Sequence, residues 1–487
     1  MCALLAAAGL GAAGSLGQAP PATGAAAVLG GRGSLATAVQ DYDILGSNRN
    51  LGLALSRIKA AGTTAMRLTL NWRAVAPGGT VKPVGFVATN PLDPRYKWSS
   101  FDQELRLVTA RGLEAIVIVV QAPAWAEGST VGAAGTRSPN PAELGAFAKA
   151  AALRYSGSLP GLPRVRYWQV WNEPNLGSFL NPQTQNGKDV SPGIYRAMVN
   201  RMAAAVHSAQ PDSLVIAGGQ SAFGRPGGVF ASVAPLRFMR ELLCMSTGKK
   251  PHATCSTRTA FDIWAHHPYT AGGPGHHAYY PDNVSIPDLP RMRSLLLAAV
   301  RAKHVLSKRR VPLFWVTEFG WDTNPPDNAA APGQLQARWV SEALYRMWTY
   351  GISLVTWFQL RDDPPGTSIY QSGLYYEDGN GYRLNRPKAG LTAFRFPFVA
   401  FKARHGVLVW GRVPPQFAGR RATVEQSTVR GWRVRAVMRT NRFGIFRGTL
   451  RAPHDGSLRA RVARGTISLP FSLKVPPPLQ LVSPFGH

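Results

Sequence analysis

The feature that most constrains the fold of this chain is an alternation of two kinds of segment between residues 36 and 398. Short apolar runs rich in β-branched residues alternate with longer stretches that have the spacing of amphipathic helices. The run LEAIVIVV at 113–120 is apolar almost throughout, as expected for a strand buried on both faces of a parallel sheet. Repeated strand–helix units predict such a sheet, with a helix between successive strands.

Eight strand–helix units are predicted, in order along the chain. The predicted strands are residues 36–45, 64–70, 113–120, 165–170, 214–217, 261–265, 313–317 and 353–358. The predicted helices are residues 51–61, 101–111, 142–154, 193–209, 235–243, 291–306, 334–350 and 388–398. Eight units favour a closed (β/α)8 TIM barrel, fold class α/β, over an open doubly wound sheet.

From about residue 404 the pattern changes to short alternating segments separated by turns, which predicts six or seven strands of a small all-β sandwich. Residues 404–474 contain 15 Lys or Arg and two acidic residues. The alternating arginines predict solvated strand faces or, alternatively, a surface for an anionic polymer. The composition shift marks a unit that we expect to be separable from the barrel.

Both ends of the chain have compositions that set them apart. The first residues are apolar and Ala-rich, too short to span a bilayer, and followed by small residues as at a signal-peptidase site, although no Lys or Arg precedes the apolar run. The last residues are Pro-rich. We therefore predict a signal peptide at 1–27, a barrel domain at 28–402, a β-sandwich module at 403–475 and a disordered tail at 476–487.

Cysteine usage is consistent with export. Besides Cys2 in the leader, Cys244 and Cys255 lie in a polar, loop-like stretch, and two thiols closing a short loop in an exported chain predict a disulfide. The alternative is two unrelated free thiols. We expect a secreted or cell-wall-associated protein without a transmembrane helix, and a monomer.

The formal charge of +30 and the isoelectric point near 10.9 raise the question of an anionic partner. The excess is spread along the chain, and no nucleic-acid-binding signature is visible, so we predict no nucleic-acid partner. Two histidine pairs lie close together in the sequence, but no acidic or cysteine cluster accompanies them. We therefore predict neither a metal site nor a cofactor.

Two glutamates stand where strands end. Glu173 follows the fourth predicted strand in RYWQVWNEPN, and Glu318 follows the seventh in PLFWVTEFGW. Functional residues of a parallel barrel lie where the strands end, at its carboxyl face. Two carboxyl groups facing each other are what the cleavage of a glycosidic bond requires, one to protonate the leaving oxygen and one to attack the anomeric carbon or activate water.

WNEP on strand four together with TEFG on strand seven resembles the large superfamily of retaining (β/α)8 glycosidases that includes cellulases, mannanases and β-xylosidases. The resemblance covers roughly residues 36–400. It implies that Glu173 is the acid/base, that Glu318 is the nucleophile and that Asn172 binds the sugar 2-hydroxyl. The module that follows resembles the small Ig-like domains of exported bacterial enzymes.

The resemblance also implies roles for other side chains. Arg67 in AMRLTLNW would lie beneath the nucleophile and favour its ionised form, unless it makes an ordinary structural ion pair. His267 and Tyr269 in HHPY match a His-x-Tyr at the end of strand six, whose Tyr contacts the nucleophile. Trp357 in VTWFQL would floor the sugar site, and Trp125 in APAWA would be a further sugar platform; the alternatives are barrel filling and loop packing.

The resemblance thus implies a secreted glycosidase acting on an oligo- or polysaccharide by a retaining double displacement. Two other functions stay open, a catalytically inactive carbohydrate-binding or adhesion protein and a transglycosylase on the same scaffold. The basic module would bind an anionic cell-wall or matrix glycan. The sequence leaves the sugar, the linkage and endo or exo action open.

Overall fold

A computed structural model of the protein describes residues 28–42, 51–225, 232–364, 370–377, 386–453, 455–474 and 483–485. Eight parallel strands close into a barrel in which each strand pairs with its neighbours in sequence and β8 pairs with β1. The strands are β1 (Ala36–Gln40), β2 (Ala65–Asn71), β3 (Glu114–Val120), β4 (Tyr167–Val170), β5 (Leu214–Ser221), β6 (Ile263–His267), β7 (Leu313–Val316) and β8 (Leu354–Phe358). The predicted (β/α)8 barrel is confirmed.

One crossover helix follows each strand, within a few residues of the predicted positions. The helices are α1 (Leu51–Ala60), α2 (Ser99–Ala110), α3 (Pro141–Arg154), α4 (Ser191–Ala209), α5 (Pro235–Leu242), α6 (Leu289–Arg301), α7 (Gly333–Thr349) and α8 (Ala389–Arg395). The start of α3 illustrates how local chemistry sets a helix end. Asn140 accepts hydrogen bonds from the first backbone N–H groups, and Pro141 occupies a position where no N–H is needed.

Alternation along each strand divides the barrel side chains into two sets. One set fills the barrel interior, and it includes Ile116 of β3, Tyr167 of β4, Trp315 of β7 and Leu354 of β8. The other set faces the helices and joins the main core. Residues 28–30 close the amino-terminal end of the barrel, where the backbone N–H of Leu29 donates to the Tyr167 hydroxyl at 2.7 Å. The opposite end is left to the strand-end loops.

Two antiparallel sheets form the second domain. Their strands are β9 (Phe398–Ala403), β10 (Gly406–Arg412), β11 (Arg421–Thr428), β12 (Gly431–Arg439), β13 (Ile445–Leu450), β14 (Ser457–Ala463), β15 (Thr466–Ile467) and β16 (Phe471–Ser472). One sheet has the order β9-β10-β13; the other has the order β12-β11-β14-β15, with β16 also paired to β14. Phe401 of the first sheet contacts Phe471 of the second. The predicted all-β sandwich is confirmed.

The boundary between the domains differs from the predicted one. Residues 398–402 were expected to belong to the barrel domain, but they form most of β9, which pairs with β10 along its full length. The second domain therefore begins at Phe398. The apolar residues of the run FVAFKA also fit the end of a helix, and only its pairing with β10 of the second domain shows where it belongs.

The second domain is docked on the barrel through buried side chains. Trp410 of β10 is fully buried and contacts Tyr345 and Trp348 of α7. The buried guanidinium of Arg412 donates to the backbone carbonyls of Leu35 and Phe394 at 2.8 and 3.1 Å. Both domains share one hydrophobic core cluster. This continuity argues against the expected separability, because a barrel without the module would expose an apolar face.

Two other features bear on the prediction of export. Cys244 and Cys255 form a disulfide in the loop after α5, as the sequence predicts. Among the described residues, none of the helices is both long and apolar enough to cross a bilayer. The predicted signal peptide and residues 43–45 of the first predicted strand lie outside the described residues.

We expect Trp410→Ala to lower the free energy of unfolding by about 3–5 kcal/mol, because it leaves a cavity at the interface between the domains. Val429→Ala is the matched control, since this side chain of the same domain is fully exposed. Urea unfolding of both variants measures the difference. A Trp410 variant as stable as the control would show that the interface contributes little.

Candidate active site

Glu173 and Glu318 face each other at the carboxyl end of the barrel. Glu173 follows β4 and Glu318 follows β7, and the side chains are only 11% and 12% exposed. One carboxylate oxygen of each and a ring nitrogen of His267 all lie within 4.8 Å of one another. The structure thus brings together the two carboxyl groups that the sequence places 145 residues apart.

The turn that carries Glu173 has an uncommon backbone. Trp171 and Glu173 have φ values of 61° and 36°, in a region that side chains other than glycine seldom adopt. The turn is held from both sides: the Trp171 indole donates to the carbonyl of Phe179 at 2.7 Å, and the Glu173 N–H donates to the carbonyl of Gly219 at 3.0 Å. A side chain at Gly219 would collide with Gln169. Local packing thus compensates for the strained conformation.

Arg67 is the central positive charge of the site. Its buried guanidinium donates to Glu318 Oε2 at 2.8 Å and to Asn172 Oδ1 at 2.8 Å. It also donates to Gln169 Oε1 at 3.1 Å and to Gln40 Oε1. These partners come from the ends of β1, β4 and β7. The planar guanidinium of Arg67 therefore fixes the ends of three strands relative to one another.

Glu318 is surrounded by donors. In addition to Arg67, the Tyr269 hydroxyl donates to Glu318 Oε1 at 2.9 Å. Burial, followed by the charge of Glu318, raises the pKa of Tyr269 well above its usual range, so the phenol keeps its proton. Both oxygens of Glu318 therefore accept hydrogen bonds, the arrangement of an ionised carboxylate.

Glu173 lies in a different environment. Its Oε1 is 3.0 Å from His267 Nδ1, and His267 Nε2 is 3.1 Å from the Thr317 hydroxyl. Burial raises the pKa of Glu173 to about 7, against the opposing charge of Arg67. Burial also lowers the pKa of His267 to about 3, so its ring is neutral and offers one donor and one acceptor.

A metal ion fits this site poorly. Glu173, His267 and Glu318 together have the spacing of a ligand set. The Arg67 guanidinium, however, already donates to Glu318 at 2.8 Å, and a cation bound there would meet its charge directly. The donor set fits a pair of carboxyl groups that work without a metal.

Trp357 does not floor the site, and this expectation is wrong. The side chain is fully buried, and it contacts Phe319 and Phe394, the latter on α8. Its indole donates to the carbonyl of Ser372 at 2.9 Å. The reason is strand parity: Leu354 of β8 faces the barrel interior, so Trp357, three residues on, faces the helices.

Phe358, next to Trp357, lies at the end of β8 on the inner side by the same parity. It contacts Tyr42 after β1 and Tyr370 in the loop after β8. Trp125 is a partly buried residue whose indole donates to Pro77, and its ring contacts Trp72 and Phe86. These are contacts of a packed loop, and the sugar-platform role of Trp125 stays a prediction.

Several side chains of the site were missed from the sequence. Gln40 and Gln169 are polar residues inside otherwise apolar strands, a signal that could have found them. Thr317 directly precedes Glu318 and was assigned only to a strand. Tyr370 lies in a loop and Phe485 in the tail that was expected to be disordered; neither has a local sequence signal. Yet Phe485 contacts both Tyr269 and Tyr370.

Comparison with known proteins adds similarity of fold. No protein-family model matches the sequence, and no curated protein sequence is significantly similar. Among solved structures, a family 39 glycoside hydrolase from Bacteroides cellulosilyticus is 17% identical at a TM-score of 0.49, over 85% of this chain and 80% of that one. A glucosidase from Croceicoccus marinus is 10% identical at 0.47, over 81% and 88%.

An endo-1,4-β-mannanase from Rhizomucor miehei is 13% identical at a TM-score of 0.43, over 74% of this chain and 94% of that one. At identities below 20% and TM-scores below 0.5, these similarities do not extend to activity. The closed order of eight parallel strands establishes the (β/α)8 barrel of this chain by itself.

The two carboxyl groups should affect stability in opposite ways. The pKa of Glu173 is raised from 4.5 to about 7, so the folded state loses stability as pH rises through that window and the buried group must ionise. Glu173→Gln removes this cost, and its stability relative to the wild type should increase from pH about 4 to pH about 8. Glu318→Gln leaves the buried charge of Arg67 without its counter-charge and should cost about 3 kcal/mol at neutral pH.

Thermal unfolding of the three proteins across that pH range measures both effects. Equal, pH-independent shifts for the two variants would contradict the assigned environments.

Proposed function

We propose that this protein is a glycoside hydrolase that cleaves O-glycosidic bonds of an oligo- or polysaccharide by a retaining double displacement. Glu318 is the nucleophile, and Glu173 is the general acid/base. The observation that carries the proposal is the pair of facing carboxyl groups with unequal surroundings, one among donors and one buried beside a neutral histidine. Unequal environments are how a site obtains one ionised and one protonated carboxyl.

The separation of the two groups supports retention. Retaining enzymes hold their carboxyl groups about 5–5.5 Å apart, whereas inverting enzymes leave roughly 6.5–9.5 Å for a water molecule. Oxygens of Glu173 and Glu318 that lie within 4.8 Å of each other fit the shorter range.

In the first step, protonated Glu173 donates its proton to the leaving oxygen while a Glu318 oxygen attacks the anomeric carbon. Arg67 and Tyr269 orient the attacking carboxylate. Asn172 accepts from Arg67 through its Oδ1, which leaves its amide N–H group to donate to the sugar 2-hydroxyl. Once the glycosyl–enzyme has formed, the negative charge of Glu318 is gone. Glu173, whose proton has gone to the leaving group, then stays ionised more easily and takes a proton from the water that attacks the anomeric carbon and displaces Glu318.

Two other functions remain as alternatives. A transglycosylase would use the same two carboxyl groups and differ only in the acceptor of the glycosyl group. An inactive carbohydrate-binding or adhesion protein would have no need for the hydrogen-bonded network around Glu318, so the intact network favours an enzyme.

Export and the partner of the second domain are part of the same proposal. The disulfide supports a secreted or cell-wall-associated protein. An anionic cell-wall or matrix glycan would bind the second domain, whose outer strand β12 exposes Arg433, Arg435 and Arg439.

Replacing these three arginines with Gln should release the protein from a polyanionic glycan at low salt without changing the cleavage of small aryl glycosides.

Retention is directly measurable. Proton NMR of a reaction mixture should show that the first product released has the anomeric configuration of the substrate, because two displacements at one carbon restore it. A first product of inverted configuration would refute the double displacement and with it the role of Glu318 as nucleophile.

The acid/base role predicts a dependence on the leaving group. Glu173→Gln should lose activity on natural glycosides by about 10²–10⁴-fold but form the glycosyl–enzyme from a dinitrophenyl glycoside, whose leaving group needs no proton. Added azide should restore turnover, because a small anion attacks the intermediate without a base. Glu318→Gln, the matched variant, should be inactive on every substrate. Equal cleavage of natural and activated glycosides by Glu173→Gln would contradict the assignment.

A further inference from the structure

The end of the chain lies against the catalytic centre. The Asp322 N–H, four residues after Glu318, donates to the carbonyl of Pro484 at 2.8 Å, and Pro484 is buried. The Ser483 hydroxyl accepts from the N–H of Phe485 at 3.3 Å, which shapes the turn that presents the Phe485 ring. Residues 483–485 are therefore held by backbone contacts beside the loop that follows β7.

Phe485 contacts a ring that is itself bonded to the nucleophile, Glu318. Its ring centroid lies 4.6 Å from that of Tyr269, whose hydroxyl is bonded to Glu318. On its other side it lies 5.1 Å from Tyr370, which in turn contacts Phe358 at the end of β8. Burial first, and then the charges of Glu318 and Glu173, raise the pKa of Tyr370.

Trp357 does not supply the expected aromatic floor, which leaves Phe358 as the aromatic side chain on the inner side at the end of β8. Trp357 faces the helices, and its indole is bonded to Ser372. A glycosyl group held at the anomeric carbon exposes a face of C–H bonds, which needs an apolar, preferably aromatic, surface beside the reacting carboxyls. The exposed part of the half-buried Phe485 ring is a surface of that kind.

We propose that the carboxyl-terminal segment is part of the substrate site and that Phe485 is a sugar-binding residue, packing against the glycone held between Glu173 and Glu318. The inference rests on the proposed glycosidase function and extends it. The aromatic wall of the site comes from the far end of the chain, carried there by the second domain. Phe485 binds the glycone in the ground state and in the transition state alike, because it lies beside the sugar and carries no group that takes part in bond breaking.

The test compares Phe485→Ala and a chain ending at residue 482 with the wild type and Phe485→Tyr. Val429→Ala is the control, because Val429 is an exposed apolar residue of the second domain. The probes are a panel of 4-nitrophenyl glycosides, with kcat and KM measured separately on the one that the wild type cleaves best. A 2-deoxy-2-fluoro glycoside of the same sugar serves as a second readout, since it labels the nucleophile covalently and intact mass detects the adduct.

We expect KM to rise about tenfold in Phe485→Ala and in the shortened chain, with kcat little changed, because uniform binding is lost. Phe485→Tyr and Val429→Ala should keep the wild-type KM. An unchanged KM in Phe485→Ala overturns the inference, and so does an increase in kcat/KM, which would make the tail an inhibitory plug. In both of these outcomes the wild type is still labelled at Glu318. A wild type that neither cleaves nor is labelled contradicts the proposed function itself.

Discussion

The organisation of the site depends on one buried cation, the guanidinium of Arg67. A charge withdrawn from water in the barrel interior is tolerated only if nearly all its donors are paired and a counter-charge lies close by. Glu318 supplies the charge, and the side-chain oxygens of Gln40, Gln169 and Asn172 supply the remaining acceptors. Because these partners stand on different strand ends, satisfying one side chain also fixes the relative positions of Glu318 and of Asn172, the residue that precedes Glu173.

Two chemically identical carboxyl groups acquire different properties from their neighbours. Glu318 receives hydrogen bonds from a guanidinium and a phenol, whereas Glu173 is paired with a histidine that burial keeps neutral. Burial disfavours the charged form of Glu173, and only the charge of Arg67 opposes this effect. The pKa of Glu173 is raised for that reason. The strained turn that carries it is kept in place by Trp171 and by the close approach of β5 at Gly219.

The second domain is integrated with the barrel in two ways. Trp410 and Arg412 extend the barrel core into the β-sandwich. The Arg412 guanidinium donates to the carbonyl of Leu35, just before β1, and to the carbonyl of Phe394 in α8. Pro484 and Phe485, which follow the sandwich in the sequence, lie beside the loop after β7 at the carboxyl end of the barrel. A domain whose composition suggested an independent module therefore shares the core of its neighbour, and residues that follow it in the sequence lie at the carboxyl face of the barrel.

The sequence by itself determined the eight strand–helix units, the change to a β-sandwich, the pairing of Cys244 with Cys255 and the placement of Glu173 and Glu318 at strand ends. Those features follow from local periodicity and from residues at the ends of elements, which short-range physics controls. Only the tertiary structure decided which way Trp357 faces, because a shift of one residue in a strand reverses every side chain and the largely apolar run LVTWF carries too little alternation to reveal it. Only the tertiary structure placed Phe485 beside Tyr269, since the contact joins residues that are separated in sequence by the last part of the barrel and all of the second domain.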